Sequence, residues 1–320
     1  MLNILLVTFP FFALVLAGFV AARRRMLPLE AIPGLNGFVL FFALPCMLYR
    51  FGSTTPIAQL LDATVIGVYL VCALVMVAFC IAITMNRRIR WNDASLGALV
   101  AAFPNSGFMG VPLIVALLGA SAAGTVILTM LIDMVVTSSL CIALSRLDDG
   151  EGHGRQAMLD AGRKALRGVL GNPMPWAIVL GALASAYSFT LPQPVEQTLW
   201  LLADAASPVA LFTIGAVLAR AQMQSNHPMP LSDYVPVALM KLVLHPLLVL
   251  VVGLGAIQVG MPLSPAALTV MVLVAALPSA SNVSLLAERF GADNGRIARI
   301  ILVTTTAAFF TFSAAVSLMT

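Results

Sequence analysis

The sequence has very little charge. Only 9% of its 320 residues are Asp, Glu, Lys or Arg, whereas 61% are hydrophobic. A soluble domain carries about 25% charged residues, so the composition predicts an all-α protein that crosses a membrane several times. The apolar runs are continuous rather than alternating, which excludes a transmembrane β-barrel.

Residues for catalysis and metal binding are also scarce within the apolar runs. All four cysteines lie inside these runs without metal-ligand spacing, as small hydrophobes do: Cys46, Cys72, Cys80 and Cys141. Asp133 is the one well-centred aspartate, so the second aspartate of an intramembrane protease is missing. His153 and His227 lie in predicted loops. We therefore expect neither an enzyme nor a metal or other cofactor.

Ten apolar runs are long enough to cross a bilayer, which takes about 20 residues per helix. We predict spans at Leu2–Ala22, Ala31–Tyr49, Ala63–Met85, Ala94–Leu118, Gly124–Ser145, Leu170–Phe189, Gln197–Ala219, Leu231–Ile257, Ala266–Ala287 and Arg296–Met319.

The basic residues predict how these spans are oriented. Of the 17 Lys and Arg residues, 15 lie in or beside the odd-numbered links. Arg23, Arg24 and Arg25 follow the first run rather than precede it, which excludes a cleavable signal peptide and indicates a cytoplasmic loop. We expect a multi-pass protein of the cell (inner or plasma) membrane with both termini outside. The net charge of +4 then reflects orientation, and no nucleic-acid partner is expected.

The prolines indicate an internal duplication. Pro45 and Pro208 lie in the second span of each set of five, and Pro104 and Pro278 lie in the fourth. We predict a first five-helix repeat at 1–145, a cytoplasmic linker at 146–169 and a second repeat at 170–320. A five-span unit repeated in one chain enters the membrane from opposite sides, so the two repeats are inverted.

Spans four and nine contain the most unusual segments, with proline and small polar residues at mid-span. Proline removes a backbone donor, and unwound backbone at membrane depth is tolerated only where protein or a water-filled cavity covers it. Helix N-termini at such breaks attract anions. We expect the second break to be milder. The candidate substrate-binding residues are Pro104, Asn105, Ser106, Gly107, Pro278, Ser279, Ser281, Asn282 and Lys241. The alternative is a pair of structural kinks that pack small residues against neighbouring helices.

Ionisable residues inside spans are functional candidates. Lys241 and His245 are one turn apart and share a helix face. Lys241 could attract an anion or pair with Asp133, and Asp133 or His245 could carry a proton. The alternative is an ion pair that fixes helix packing. Asp204 lies in the outer half of the seventh span, and Arg50 is expected at the membrane interface.

Three segments resemble motifs of the auxin efflux carrier family: FPNSGFMGVPL at 103–113, ALPSASNV at 276–283 and KLVLHPL at 241–247. The resemblance implies a secondary carrier for a small organic anion, such as a mono- or dicarboxylate. It also implies the fold of the bile-acid, arsenite and riboflavin transporter superfamily. In that fold spans one, two, six and seven form a scaffold, and the other spans move in an elevator-like manner. The substrate would bind where broken helices four and nine cross, facing Asn105 and Asn282. A homodimer through the scaffold is implied as well.

The residues near the motifs bear on coupling. Sodium needs several hard oxygen ligands, and here Asn, Ser, Thr and backbone groups are the ones close by. We therefore expect proton coupling or uniport. The alternatives are a sodium-coupled symporter of an organic anion and a non-catalytic, transporter-like membrane sensor, although the short linker leaves no room for an attached signalling domain.

Overall fold

The computed structural model describes residues 2–56, 61–147, 160, 163, 167–168, 170–171, 173–224 and 229–319. This part of the chain is helical apart from short connections and one isolated backbone bridge. Most of the predicted linker at 146–169, with His153, and also His227 lie outside the described residues.

The main helices are numbered here in chain order. They are α1 (Leu2–Arg23), α2 (Leu29–Thr54), α3 (Ala63–Thr84), α4 (Trp91–Ala102), α5 (Ser106–Leu118), α6 (Ala120–Leu144), α7 (Pro173–Ala186), α8 (Gln193–Gln224), α9 (Val235–Gln258), α10 (Pro265–Ala276), α11 (Val283–Phe290) and α12 (Asn294–Met319).

Seven of these helices are long and apolar enough to cross a membrane: α1, α2, α3, α6, α8, α9 and α12. The apolar helices α5, α7 and α10 are shorter. Large hydrophobic side chains such as Leu6, Val71, Leu180, Val251 and Phe310 are exposed on the helix surfaces. Such surfaces are suited to contact with lipid tails, so the prediction of a multi-pass, all-helical membrane protein is confirmed.

Several helices contain a widened, π-helical turn, and three of these turns lie just before a proline. The turn at Val39–Ala43 precedes Pro45, the turn that opens α5 precedes Pro112, and the turn at Met240–Leu244 precedes Pro246. Proline has no N–H and its ring clashes with the carbonyl four residues earlier, so widening the turn relieves the clash. π-Turns are frequent at functional sites, and these helices surround the site described below.

The helices pack in two groups. In the first group, α1 lies along α8, α2 lies along α7, and α2 also contacts α8. In the second group, α3 packs on α4, α9 packs on α10, and α3 contacts α9 and α6. Helix α12 packs on α10 and reaches across to α1 and α8. The first group contains predicted spans one, two, six and seven, and the second contains the others.

Glycines allow the close helix contacts of the first group. A Cβ added at Gly18 of α1 would collide with the carbonyl of Phe212 in α8, and one added at Gly215 would collide with the carbonyl of Val15. In the contact between α2 and α7, a Cβ added at Gly181 of α7 would lie 2.6 Å from the carbonyl oxygen of Tyr49 in α2. Small residues at membrane helix interfaces let backbones approach in this way.

Basic residues collect at one end of the helix assembly. Arg23, at the end of α1, donates to Gln222 of α8 over 3.2 Å. The guanidinium of Arg146 lies over the ring of Phe290, and Arg296 donates to backbone carbonyls near the starts of α4 and α9. We call this the arginine-rich end.

Candidate functional site

The two proline-containing breaks lie against each other and pair through their backbones. The amide of Asn105 donates to the carbonyl of Pro278 over 2.8 Å, and the amide of Ala280 donates to the carbonyl of Phe103 over 3.0 Å. These two bonds form the antiparallel bridge between Pro104 and Ser279. Each break therefore satisfies backbone groups that proline and the end of a helix leave free in the other.

The two breaks differ in length, and the expectation that the second is milder is wrong. Residues 103–105 separate α4 from α5, whereas residues 277–282 separate α10 from α11. Both breaks nevertheless end in an asparagine at the N-cap of the next helix, Asn105 before α5 and Asn282 before α11. Neither side chain caps its helix. Asparagine is a favoured N-cap residue because its side chain can accept a hydrogen bond from the first turn of the helix. Neither asparagine does so here, and both amide side chains remain available for other hydrogen bonds.

A small recess opens beside the paired breaks, and both asparagines line it. Its other walls include Gly107 and Phe108 of α5, Leu40 and Leu44 of α2, Met130 and Met134 of α6, and Met174 of α7. Its volume is about 20 Å³, which is room for about one water molecule. The Oδ1 atom of Asn282 is buried and accepts no hydrogen bond from a described residue. The recess thus combines unused amide groups, two helix N-termini and flexible methionines.

The predicted serines take different places around the breaks. Ser106 is fully buried, and its hydroxyl lies 3.4 Å from the carbonyl oxygen of Pro104. The amide of Ser279 donates to Thr304 of α12 over 3.3 Å, while its buried hydroxyl has no partner among the described residues. The carbonyl of Ser281 accepts from the hydroxyl of Ser284 over 3.0 Å. None of these three serines lines the recess itself.

Lys241 is fully buried and contacts the end of α10, just before the second break; it does not line the recess. Its Nζ donates to the carbonyl of Ala275 over 2.9 Å and lies 3.0 Å from Nδ1 of His245. Ala275 belongs to the last turn of α10, where carbonyls lack helical partners and a basic group is favourable. Lys241 therefore fixes the end of the helix that leads into the break.

Asp133 is also fully buried, and it does not form an ion pair with Lys241 within 4.0 Å. Its carboxylate accepts from the hydroxyl of Tyr69 over 2.8 Å and from Thr137 over 3.1 Å. The ring of Tyr69 lies 6.3 Å from that of His245. The structure thus brings Asp133, Tyr69, His245 and Lys241 into one buried polar cluster of α6, α3 and α9, joined to α10 at Ala275.

Asp204 lies at the opposite end of the first group from Arg23. It pairs with Arg50 over 2.7 Å, and the guanidinium of Arg50 also lies over the ring of Trp200. Both charged side chains are well exposed, with 40% and 70% of their surface accessible for Arg50 and Asp204. An exposed pair of this kind contributes little to stability, and neither residue lines the recess.

Sequence reasoning missed Tyr69 and the methionines of the recess. Apart from the threonines Thr64 and Thr84 near its ends, Tyr69 is the one side chain of α3 that carries a hydroxyl, and a buried tyrosine hydroxyl usually finds a partner. That signal could have linked it to an ionisable residue of another span. Met130, Met134 and Met174 carry no such signal, because methionine is also an ordinary filler of apolar cores.

The chain is similar over nearly its whole length to known membrane transport proteins. Residues 4–316 match the family model described as "Membrane transport protein". A protein of Rhizobium meliloti (strain 1021) named "Putative malonate transporter" is 31% identical over 301 residues, which are 92% of this chain and 89% of that protein. The "Uncharacterized transporter YfdV" of Escherichia coli (strain K12) is 25% identical over 285 residues, covering 88% of this chain and 86% of that one.

The family model spans both breaks, the buried polar cluster and every numbered helix in part or in full. The family and these relatives are transporters rather than enzymes. The chain therefore belongs to the membrane transport protein family, the auxin efflux carriers, as its motifs indicated.

Proposed function

We propose that this chain is a secondary active carrier of a small organic anion, such as a mono- or dicarboxylate, which binds where the two breaks cross. The observation that carries the proposal is the pair of asparagines, Asn105 and Asn282. Both lie at the start of a helix and line one recess, and neither caps its helix. Amide N–H groups and helix N-termini are suited to a carboxylate.

The relative named as a malonate transporter favours a small dicarboxylate as the substrate. Malonate would place one carboxylate near each half-helix. We propose that Asn105, Asn282 and Gly107 contact it, and that Pro104 and Pro278 hold the breaks open. Ser106, Ser279 and Ser281 would supply hydroxyls once the recess widens, and Lys241 would hold the end of α10.

We propose ten membrane crossings in two inverted repeats, at 1–145 and 170–320, joined by a cytoplasmic linker at 146–169. The packing supports this symmetry. The contact of α1 with α8 corresponds to that of α7 with α2, and the contact of α3 with α4 corresponds to that of α9 with α10. Helices α4 with α5, and α10 with α11, would be the broken crossover helices of the two repeats.

We further propose an elevator-like mechanism in which the first group of helices is the scaffold and the second is the transport domain. The recess lies between them, because Leu44 and Met174 come from the first group and Asn105 and Asn282 from the second. A volume of about 20 Å³ is too small for a dicarboxylate, so the groups must separate for the substrate to enter. Leucine and methionine side chains line the interface between the groups, so few hydrogen bonds would have to break during that movement.

For coupling we propose a proton rather than sodium, with Asp133 and His245 as the groups that carry it. Both are buried in the polar cluster that ends at Ala275, directly before the second break. A change of charge in this cluster would therefore be felt at the end of α10.

We also propose that the protein lies in the cell membrane with both termini outside and the arginine-rich end in the cytoplasm. A homodimer would form through the scaffold. An apolar groove of about 700 Å³ between α2, α7 and α8 lies on that group, lined by residues such as Tyr49, Leu180 and Tyr187. Mass measurement in a mild detergent would test the dimer.

The proposed substrate class is tested by thermal unfolding of the purified protein with a panel of carboxylates, indole acids, neutral solutes and sodium, at two pH values. A ligand that binds the folded state raises the unfolding temperature. We expect stabilisation by one anion class that is lost in Asn105→Ala and Asn282→Ala. Stabilisation by a neutral solute or by sodium, with none by any anion, would exclude the anion site.

The proposed coupling is tested with Asp133→Asn, which keeps the shape of the side chain but cannot gain or lose a proton. We expect this variant to bind the anion as the parent does and to lose uptake driven by a pH gradient in proteoliposomes. Thr137→Val, which removes one hydrogen bond from the same carboxylate, is the matched control and should keep gradient-driven uptake. An unchanged pH response in Asp133→Asn would remove Asp133 from the mechanism.

A further inference from the structure

A second cavity lies beside the recess, and its wall includes Arg220, two residues before the Gln222 that binds Arg23 at the arginine-rich end. We call this cavity the vestibule. Its volume is about 250 Å³, and it lies between α2, α8 and α11. Leu40 lines both cavities, and Ser281 of the vestibule directly precedes Asn282 of the recess. The two cavities are therefore neighbours along one path between the helix groups. The polar residues of the vestibule wall are Asn36, Thr213, Arg220, Ser281 and Ser284.

Arg220 differs from other arginines of the described chain. Arg50 pairs with Asp204, Arg23 donates to Gln222, and Arg296 donates to two backbone carbonyls. Arg220 is half-buried in the vestibule wall and has no hydrogen bond or ion pair with a described residue. A half-buried guanidinium that lines a cavity without an anionic partner keeps its five N–H donors available for a ligand.

We propose that the vestibule is an anion-binding site in which Arg220 holds a carboxylate before it enters, or after it leaves, the recess. This inference rests on the proposed function and adds a second substrate-binding site to it. A guanidinium matches the two oxygens of a carboxylate with two parallel hydrogen bonds. Asn36 lies on the α2 side of the same cavity and Ser284 on the α11 side, where they can bind a second carboxylate or its water.

The size of the vestibule fits a small substrate. Water occupies about 30 Å³ per molecule in the liquid, so a cavity of about 250 Å³ has the room of several water molecules. A three- or four-carbon dicarboxylate fits with some water, whereas a bulky amphipathic anion does not. The vestibule therefore has room for a small carboxylate without any separation of the two helix groups.

The position of Arg220 also differs from that of an arginine that serves only to orient the protein in the membrane. An arginine that only marks the cytoplasmic side extends its charge into water. Arg24 is of that kind, since it lies exposed at the same end of the molecule. Arg220 instead faces a cavity shared by α2 and α8 of one helix group and α11 of the other. An anion bound there would contact both groups that the proposed mechanism moves apart.

The experiment measures charge preference inside the vestibule. Ser284→Cys places a thiol in its wall, in a background in which the four native cysteines, none of which lines the vestibule, are replaced by alanine. The rate of labelling by an anionic methanethiosulfonate is compared with that of a cationic one, in Ser284→Cys alone and combined with Arg220→Ala, Arg220→Lys or Arg24→Ala. We expect the anionic-to-cationic rate ratio to fall about tenfold with Arg220→Ala. Arg220→Lys and Arg24→Ala should leave it nearly unchanged.

Malonate then tests the ligand. It should slow labelling of Ser284→Cys, and this protection should need about tenfold more malonate when Arg220 is alanine. A rate ratio that does not depend on Arg220, or a thiol that is not labelled at all, would overturn the vestibule site. Malonate stabilisation that is lost in Asn105→Ala and in Asn282→Ala but kept in Arg220→Ala would then leave the proposed function intact. The opposite result, an Arg220-dependent ratio with no carboxylate binding in the recess, would keep the anion site and overturn the proposed function.

Discussion

Asn105 and Asn282 occupy equivalent places in the two halves although their sequence contexts differ. Asn105 follows its proline directly, whereas Asn282 lies four positions after Pro278. The longer second break makes up the difference, so that each asparagine directly precedes the next helix. At the scale of single residues, the site consists of two amides whose free hydrogen-bonding groups lie beside helix N-termini. Such a site is suited to negative charge, and we expect a single substitution to reverse that preference.

Asn282→Asp should reverse that preference. It adds a carboxylate of nearly the same size beside the bound anion, and like charges a few ångströms apart repel strongly in a partly buried site. We expect carboxylate binding to weaken about 100-fold, against about tenfold for Asn282→Ala, which removes only a hydrogen bond. Calorimetric titration of both variants with malonate provides the measurement. Tighter binding of any anion to Asn282→Asp would contradict the account.

At the scale of elements, the second break is held at both sides by other helices. Lys241 of α9 donates to the carbonyl of Ala275 at the end of α10, and Thr304 of α12 accepts from the amide of Ser279. The first break has the backbone of the second as its partner. The unwound segments are therefore fixed by specific hydrogen bonds and are not loose kinks.

The contact between α1 and α8 depends on glycine, and Gly215→Ala should weaken it. The added methyl group would collide with the carbonyl of Val15, and overpacking of this kind costs about 1–3 kcal/mol. Gly255→Ala is the matched control, because nothing lies within 4 Å of its added Cβ. In a helix that change is neutral or stabilising by up to about 1 kcal/mol. Thermal unfolding of both variants in detergent checks the difference, and equal unfolding temperatures would contradict this packing.

The sequence predicted several of the long helices well because apolar length is a local property, although seven helices rather than ten are long enough to cross a membrane among the described residues. The bounds of α1 and α3 agree with the predicted spans to within one residue, Leu2–Arg23 against Leu2–Ala22 and Ala63–Thr84 against Ala63–Met85. The positive φ angles of Gly119 and Gly291 likewise end helices where the sequence has Gly-Ala pairs. The sixth predicted span is shorter in the structure, as α7.

The site was predicted only in part because its geometry depends on distant residues. The prolines located both breaks, but their lengths follow from the pairing of residues 103–105 with residues 278–280, which no local pattern contains. In the same way, the sequence identifies Asp133 as an ionisable residue inside an apolar run. Its partner Tyr69 is 64 residues away, and no local pattern separates it from an aromatic residue of the core. Whether Lys241 binds an anion or a backbone carbonyl also depends on where α10 ends.

At the scale of the whole molecule, two helix groups meet along a surface that contains the recess and the vestibule. Phe12 of α1 and Phe309 of α12 also meet there, with ring centroids 5.3 Å apart in an edge-to-face arrangement. The proposed elevator movement slides α12 relative to α1, since these helices belong to different groups. Contacts within a group, such as α2 with α7, would not change.

A covalent link between the groups should stop transport. We expect Phe12→Cys with Phe309→Cys, joined by a short bifunctional thiol reagent, to lose uptake while still binding the anion. Gly52 and Gly181 lie in contact within the first group, so a link between neighbouring exposed positions of α2 and α7 is the matched control and should leave uptake intact. Full uptake by the linked Phe12–Phe309 variant would show that these helices do not move relative to each other.

The most direct test of the central claim is uptake of radiolabelled malonate by proteoliposomes that contain the purified protein. We predict uptake that saturates, that is competed by other small carboxylates, and that is lost in Asn105→Ala and in Asn282→Ala while Arg24→Ala retains it. Saturable uptake that survives both asparagine substitutions, or competition by neutral solutes but not by carboxylates, would contradict an anion site at the paired breaks.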